Sequence, residues 1–286
     1  MEFKIPPLPT TLGEILQVLS REVPVPDNNR LVEIIEKDPA LSVYVLRQVN
    51  SVYYGLRCRV TEIRRAVALL GLKRVCNLAL SASLKQSFVY LEDAASRTIY
   101  EHVIKTSVAT AAFARDLAAY LNLPLAETAF TAGLLHQLGR LVFLYSAPQR
   151  YVSLWYTQAH TVPEAPSREA EAHLFNTDYL QLGATTLRQW NLPAELVLIT
   201  NCLDTPDEIE RGPLRTLALT VAVGNTASAS LFLPVSPETD EAIPNAPSCL
   251  KALAEKHDRD IEDLARFLDE RRDAVSQFAR SVMGDC

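Results

Sequence analysis

Apolar residues recur at intervals of three and four along almost the whole chain, the spacing that lines one face of an α-helix. Leu12, Ile15, Leu16 and Leu19 form the first stripe. Leu31, Ile34 and Ile35 form the second, introduced by the cap-forming run Asp27-Asn28-Asn29. Asp38-Pro39 marks the end of one helix and the start of another, because proline has no amide hydrogen to donate yet fits a first helical turn. A short amphipathic helix over 40–49 and a turn at Tyr53-Tyr54-Gly55 follow. Thr61 is placed to cap a helix running to Leu69, Gly71 interrupts it, and 72–88 reads as the next helix.

The alanine-rich stretch 96–121 predicts one long helix able to pack closely against its neighbours. Pro124 restarts the chain into a helix that carries His136, and further helices are expected at about 148–160, 168–174, 179–190, 193–203 and 214–231. Four prolines and several acids over 234–247 predict a loop, either a connector or a flap. Beyond it Ile261, Leu264, Ala265, Leu268, Val275, Phe278 and Val282 share one side of a charged helix, which would cover the core or bind a partner. The pattern predicts an all-α chain. Its expected divisions are an N-terminal helical part at 1–90, a helical bundle at 91–232, a proline-rich loop at 233–249 and docking helices at 250–286.

Composition narrows this picture without changing it. A chain of 286 residues, 48% hydrophobic and 22% charged, can bury a substantial core, and only nine glycines argue against a sandwich of strands and turns. The formal charge of −6 disfavours binding to nucleic acid phosphates. Cys58, Cys76, Cys202, Cys249 and Cys286 are widely spaced and form no C-x-x-C pair, as expected of reduced thiols in the cytoplasm. Neither a signal peptide after Met1-Glu2-Phe3-Lys4 nor an apolar run of about 20 residues is present, so no membrane span is expected.

One segment opposes the overall charge. Arg57, Arg59, Arg64, Arg65, Lys73, Arg74 and Lys85 stand against the single acid Glu62. This is either a solvated helix face or a surface for an acidic protein or a small anionic ligand, where arginine offers paired donors.

The candidate chemistry centres on Gly133-Leu134-Leu135-His136-Gln137-Leu138-Gly139-Arg140. A carboxylate beside the histidine would hold a divalent cation; the neutral glutamine carbonyl offers only a dipole. The stretch resembles the His-Asp signature of the HD metal-dependent phosphohydrolase superfamily, close to G-L-L-H-D-I-G-K, with Gln137 in place of the aspartate. Upstream, Pro7-Leu8-Pro9, Asp38-Pro39-Ala40-Leu41, Asn50-Ser51-Val52-Tyr53-Tyr54-Gly55 and the run from Ile63 to Leu72 resemble the opening half of the HDOD family. The likeness covers about residues 5–230 in order.

That resemblance implies an HD-like multi-helix bundle with an N-terminal helical subdomain, found in bacterial signalling and regulatory proteins. It also implies association with receiver domains, sensory kinases or cyclic-dinucleotide enzymes. In metal-binding HD proteins the ligands come from a histidine, a His-Asp pair and a later aspartate. Here Tyr100-Glu101-His102, His136-Gln137 and Val223-Gly224-Asn225 resemble those positions, so two histidines remain and both acids are amides. Tyr179 stands where a histidine commonly follows the aspartate, and Asn201-Cys202 falls where a histidine pair would lie. The expectation is a degenerate site, with no catalytic residues, metal or cofactor.

In that reading His102 and His136 are core or cleft histidines holding neighbouring groups, whereas His160 and His173 are surface residues. Asn50 satisfies backbone groups at a helix end, Tyr53 and Tyr54 pack between helices, and Gly55 and Gly71 supply tight backbone geometry. No phosphate loop, G-x-G-x-x-G or G-x-S-x-G elbow is present, and Cys202 has no catalytic partner in the sequence. Three functions compete: a noncatalytic signalling domain binding a protein or regulatory ligand, a divergent phosphohydrolase acting on a nucleotide or cyclic dinucleotide, and a nucleic acid regulator using the 57–85 segment.

Overall fold

Asparagine, more than glycine, ends the helices of this chain. Asn122, Asn176 and Asn191 adopt φ of 55°, 59° and 55° just past helix ends, a left-handed turn that asparagine tolerates better than most side chains. The computed structural model describes residues 3–20, 28–87, 93–157, 165–232 and 248–283. The described residues form helices and no strands. Residues expected to cap, end or connect helices at Asp27, Phe88 and 234–247, together with His160 and Cys286, lie outside them.

The chain divides into two compact units. One comprises residues 7–89 and 277–286. It holds α1 (Thr10–Ser20), α2 (Asn28–Glu36), α3 (Pro39–Val49), α4 (Ile63–Leu70) and α5 (Leu72–Ser87). Helix α5 packs against α1 and α3, and α2 against α4. Leu12, Ile15, Leu31, Ile35, Leu41 and Leu78 are fully buried, as the stripes require. Asp38 caps α3 by accepting from the amides of Ala40 at 2.9 Å and Leu41 at 3.1 Å, with Pro39 in the first turn.

The other unit comprises residues 1–6 and 90–276. Its helices are α6 (Ala94–Tyr120), α7 (Ala126–Leu135), α8 (Leu138–Ser146), α9 (Pro148–Thr157), α10 (Arg168–Phe175), α11 (Tyr179–Gln189), α12 (Ala194–Asn201), α13 (Pro213–Phe232) and α14 (Ser248–Lys256). The charged helix α15 (Ile261–Met283) begins in this unit, and Leu264, Leu268, Val275, Phe278 and Val282 along it are buried. Helix α6 packs against α7 and α13, and α11 against α8 and α12. Small residues make this closeness possible. A Cβ on Gly133 would stand 2.7 Å from the Ala111 Cα, and one on Gly224 would stand 2.8 Å from the Thr110 carbonyl oxygen. Among the described residues no helix is long and apolar enough to cross a membrane.

Two local expectations are corrected. Thr61 caps nothing: Glu62 takes the N-cap position of α4 without a side-chain bond to the first turn, and Ile63 buries itself as the first helical residue. His136 is not inside a continuous helix. It closes α7, and α8 begins two residues later. At the break the imidazole Nδ1 lies 2.6 Å from the Gly133 carbonyl oxygen, the acceptor that an unbroken helix would give to the amide of Gln137.

Candidate functional site

Four helices bring their polar residues to one cavity of about 210 Å³. Helix α6 supplies His102 and, one turn on, Thr106; the junction of α7 and α8 supplies Gln137, and α8 supplies Arg140. Tyr179 opens α11, and Asn225 and Ser228 come from one face of α13. Tyr179 is fixed by its neighbour Asp178, which caps α11 by accepting from the amides of Leu180 at 2.9 Å and Gln181 at 3.0 Å. Of the four positions that resemble a metal site, His102, Gln137 and Asn225 line this cavity, and His136 lies behind its wall in contact with Asn225. Among the described residues no carboxylate lines the cavity.

His136 is fully buried, and both of its ring nitrogens are engaged. Burial pulls its pKa down to about 4, so the ring is neutral near pH 7. A neutral ring facing a carbonyl oxygen at Nδ1 must carry its proton there, which leaves Nε2 as an acceptor. Asn225 places its side-chain oxygen, Oδ1, 3.0 Å from Nε2. With Nε2 bare, this contact is a hydrogen bond once the amide makes a half-turn, which exchanges its oxygen and nitrogen and lets the NH2 donate to the ring.

The remaining polar groups are similarly matched. Gln137 Nε2 donates to Thr106 Oγ1 at 3.1 Å, and Thr106 in turn donates to the His102 carbonyl at 2.9 Å. Ser228 Oγ and Thr110 Oγ1 share a hydrogen bond of 2.8 Å. His102 lies edge-on to Trp155 with ring centres 5.6 Å apart. Burial, helped by Arg140 and Lys105, lowers its pKa to about 4.

Arg140 is the charged member of the cavity wall, and it too is compensated. Its guanidinium stacks 4.1 Å from the Tyr179 ring centre, lies 3.3 Å from Glu171 Oε1 and donates to the Pro166 carbonyl at 3.2 Å. Burial alone would lower its pKa, but Glu171, Tyr151 and Tyr179 hold it above its ordinary value. Glu171, with no exposed surface, accepts from Tyr151 Oη and from the Tyr179 amide, each at 2.8 Å. Burial pushes its carboxyl up against the opposing pull of Arg140. The carboxylate serves Arg140 and the start of α11 and is not among the cavity-lining residues.

Thr106, Arg140 and Ser228 were not singled out by sequence reasoning, although spacing offers a signal. Thr106 follows His102 by four residues on α6 and Ser228 follows Asn225 by three on α13, so each shares a helix face with a candidate, whereas Arg140 lies on α8 beyond the break after His136. Asn201 is exposed, and Cys202 is buried away from the cavity lining. His173 is exposed. Among the described residues no group of three or more His, Cys, Asp or Glu stands close enough to hold a metal ion.

The upstream motif residues lie in the unit of residues 7–89 and 277–286. Asn50 Nδ2 donates to the carbonyls of Leu46 and Val60, and its Oδ1 accepts from the Val60 amide, all at 2.7 Å. Tyr53 stacks on Phe278 with centres 4.5 Å apart, and Tyr54 meets the same ring edge-on at 6.0 Å. Gly55 and Gly71 take φ of 57° and 85°, where other residues would be strained. Arg57, Arg59, Arg64, Arg65, Lys73 and Arg74 are all exposed, and Arg64 donates to Asn29 Oδ1 at 2.7 Å.

Comparison with known proteins agrees with this architecture. The family model for the HDOD domain matches residues 5–206. An uncharacterized protein of Treponema pallidum is 28% identical over 194 residues, 68% of this chain, and the chain spans 36% of that relative's length. Three solved structures share the fold. An HDOD domain protein of unknown function from Geobacter sulfurreducens has a TM-score of 0.77 at 16% identity, covering 98% of this chain and 93% of the other. A "Putative phosphohydrolase" from Shewanella amazonensis has a TM-score of 0.70 at 22% identity, covering 97% and 94%. A "Putative signal transduction protein" from Marinobacter aquaeolei has 0.68 at 22% identity, covering 98% and 60%.

Proposed function

The chain belongs to the HDOD domain family, and from that membership together with the His136 cavity we propose that it is a noncatalytic regulatory domain of bacterial signal transduction. In this reading it binds a protein partner, such as a kinase, a receiver domain or a cyclic-dinucleotide enzyme, or a small regulatory ligand. It passes its state on through the packing of its helices, as a free-standing regulator or as the output module of a longer one. The solved relative named for signal transduction is in keeping with that role.

One observation carries the noncatalytic part. Both ring nitrogens of His136 are held, by Gly133 and Asn225, behind the wall of a cavity that no carboxylate lines among the described residues. Hydrolysis of a phosphoester in the HD manner needs a metal to polarise the phosphoryl group and acidify a water. Such an ion needs charged oxygen ligands and free imidazole nitrogens. Neutral amides at 137 and 225 and an imidazole already engaged at both ends do not fit it.

The test is elemental analysis of protein purified without added metal, followed by an assay for cyclic-dinucleotide hydrolysis with magnesium, manganese or iron. Substoichiometric metal and background turnover are expected. Stoichiometric metal, with turnover lost in a folded His102→Ala or His136→Ala variant, would overturn the reading in favour of a divergent phosphohydrolase.

A further inference from the structure

A second cavity lies away from the site beside His136. It is a groove of about 880 Å³ between the last turns of α3 and the segment 56–61. Its apolar wall is Val43, Leu46, Leu56 and Val60, and Arg47 and Arg59 stand among its lining residues. Asn50 holds the two sides together, because its side chain bonds Leu46 on the helix and both backbone groups of Val60 across the gap. The groove is therefore built before any occupant arrives. Val43 is 65% exposed, unusual for a valine on a helix whose other apolar residues are largely covered.

Charge selects among occupants. Residues 7–89 and 277–286 carry twelve Lys and Arg against eight Asp and Glu, although the whole chain has a formal charge of −6. Among the described residues the groove is lined by two arginines and no acid, with exposed Arg57 beside it. A small anion would meet the arginines but leave the apolar wall uncovered. Single-stranded nucleic acid would need planar side chains on which to stack its bases, and among the described residues no aromatic lines the groove.

We propose that this groove docks an acidic segment of a partner protein, one that sets an aliphatic side chain against Val43 and Leu46 and carboxylates against Arg47 and Arg59. The apolar contact supplies affinity, and the arginine forks fix orientation. The proposal deepens the partner-binding reading above by giving it a surface and a partner chemistry.

The experiment uses the full chain and a displayed library of random peptides of about 12 residues, long enough to cover a groove of this size. Enriched peptides are expected to combine Leu, Ile or Val with Asp or Glu. A synthetic copy should slow alkylation of Cys58, an exposed thiol that lines the groove, by about fivefold or more. Arg47→Glu with Arg59→Glu should weaken binding by about tenfold or more while the melting temperature is retained. Val43→Asp should weaken it similarly, and Arg188→Glu, at an exposed position outside the groove, should not. The proposal is overturned if no peptides are enriched, if those enriched lack acids, or if both groove variants bind them as wild type does. It is equally overturned if a single-stranded oligonucleotide, inorganic phosphate or self-association protects Cys58 as well as the peptide. Metal-dependent hydrolysis would remove the noncatalytic reading and leave these outcomes unchanged, so the two failures are distinguishable.

Discussion

The Nε2 of His136 lies 3.0 Å from the side-chain amide of Asn225, a residue 89 positions further along the chain. The ring is fully buried, and the Gly133 carbonyl at Nδ1 sets which nitrogen carries its proton. Near pH 7 the ring carries one proton, on Nδ1, and Nε2 accepts from Asn225.

This has a pH signature. The imidazole of the unfolded chain titrates near 6.5, and burial pulls the folded value down to about 4. Below pH 6.5 the unfolded chain takes up a proton that the folded chain refuses. Stability is therefore lost as pH falls from about 6.5 to about 4 and is level below that. Between about pH 7.5 and 5.5 the loss from this one residue is on the order of 1 kcal/mol. Nitrogen NMR of the histidine ring should show Nδ1 protonated and Nε2 bare down to about pH 5.5. A doubly protonated ring at pH 6 would contradict the assignment.

Gln137 stands where the resemblance to HD phosphohydrolases would place an aspartate, and its amide is spent on Thr106. Restoring the acid alone, as Gln137→Asp, leaves Asn225 on the His136 ring and supplies only one carboxylate. Metal-dependent hydrolysis of a cyclic dinucleotide should remain at background in this variant, with substoichiometric metal after purification. A large gain in either quantity would show that the cavity needed only this one ligand.

Sequence reading reached some of this arrangement and missed the rest for identifiable reasons. Helical stripes such as Leu12, Ile15 and Leu16 are legible because a helix with one buried face must repeat its apolar residues. Motif likeness puts His102, His136, Gln137 and Asn225 in one set; His102, Gln137 and Asn225 line one cavity, and His136 contacts Asn225 from behind its wall. The break after His136 is not legible, because histidine is an acceptable helix residue and its ring contact with the Gly133 carbonyl leaves no mark in the sequence. Thr61 looked like a better cap than Glu62, but burial of Ile63 set where α4 begins. Glu171 carried no local signal. Its value depends on Arg140, Tyr151 and the Tyr179 amide arriving beside it from three other stretches of chain.

Gly139 marks where α8 and α11 touch. A Cβ there would overlap the Tyr179 carbonyl oxygen and stand 2.8 Å from the Gly183 amide nitrogen, and both obstacles are backbone. Gly139→Ala must push the helices apart and should cost about 3 kcal/mol or more, at the upper end of overpacking. By contrast, a Cβ on Gly212 would meet nothing nearer than the Glu210 carbonyl oxygen at 4.0 Å, and Gly212→Ala should be nearly silent. Urea unfolding of the two variants checks the difference, and equal stabilities would mean that the α8–α11 contact yields easily.

Arg140 and Glu171 form the buried ion pair beside the cavity, with 6% and none of their surfaces exposed. Arg140→Met preserves much of the side chain's volume but leaves the Glu171 carboxylate without its cation. The loss should be about 3–5 kcal/mol, the usual cost of breaking one side of a buried pair. Adding Glu171→Gln removes the stranded charge, so the double variant should be more stable than Arg140→Met alone. The single variant also has a distinct pH response. Without arginine the folded-state pKa of Glu171 rises further above its unfolded value, so the deficit is greatest near neutrality and shrinks as acid protonates the carboxyl. A double-mutant cycle by urea unfolding at about pH 7 and about pH 5 measures both effects. If the double variant is no more stable than Arg140→Met and the deficit does not change with pH, then the two charges do not depend on each other, and the wall of the cavity is held by Tyr151, Trp155 and Tyr179 packing alone.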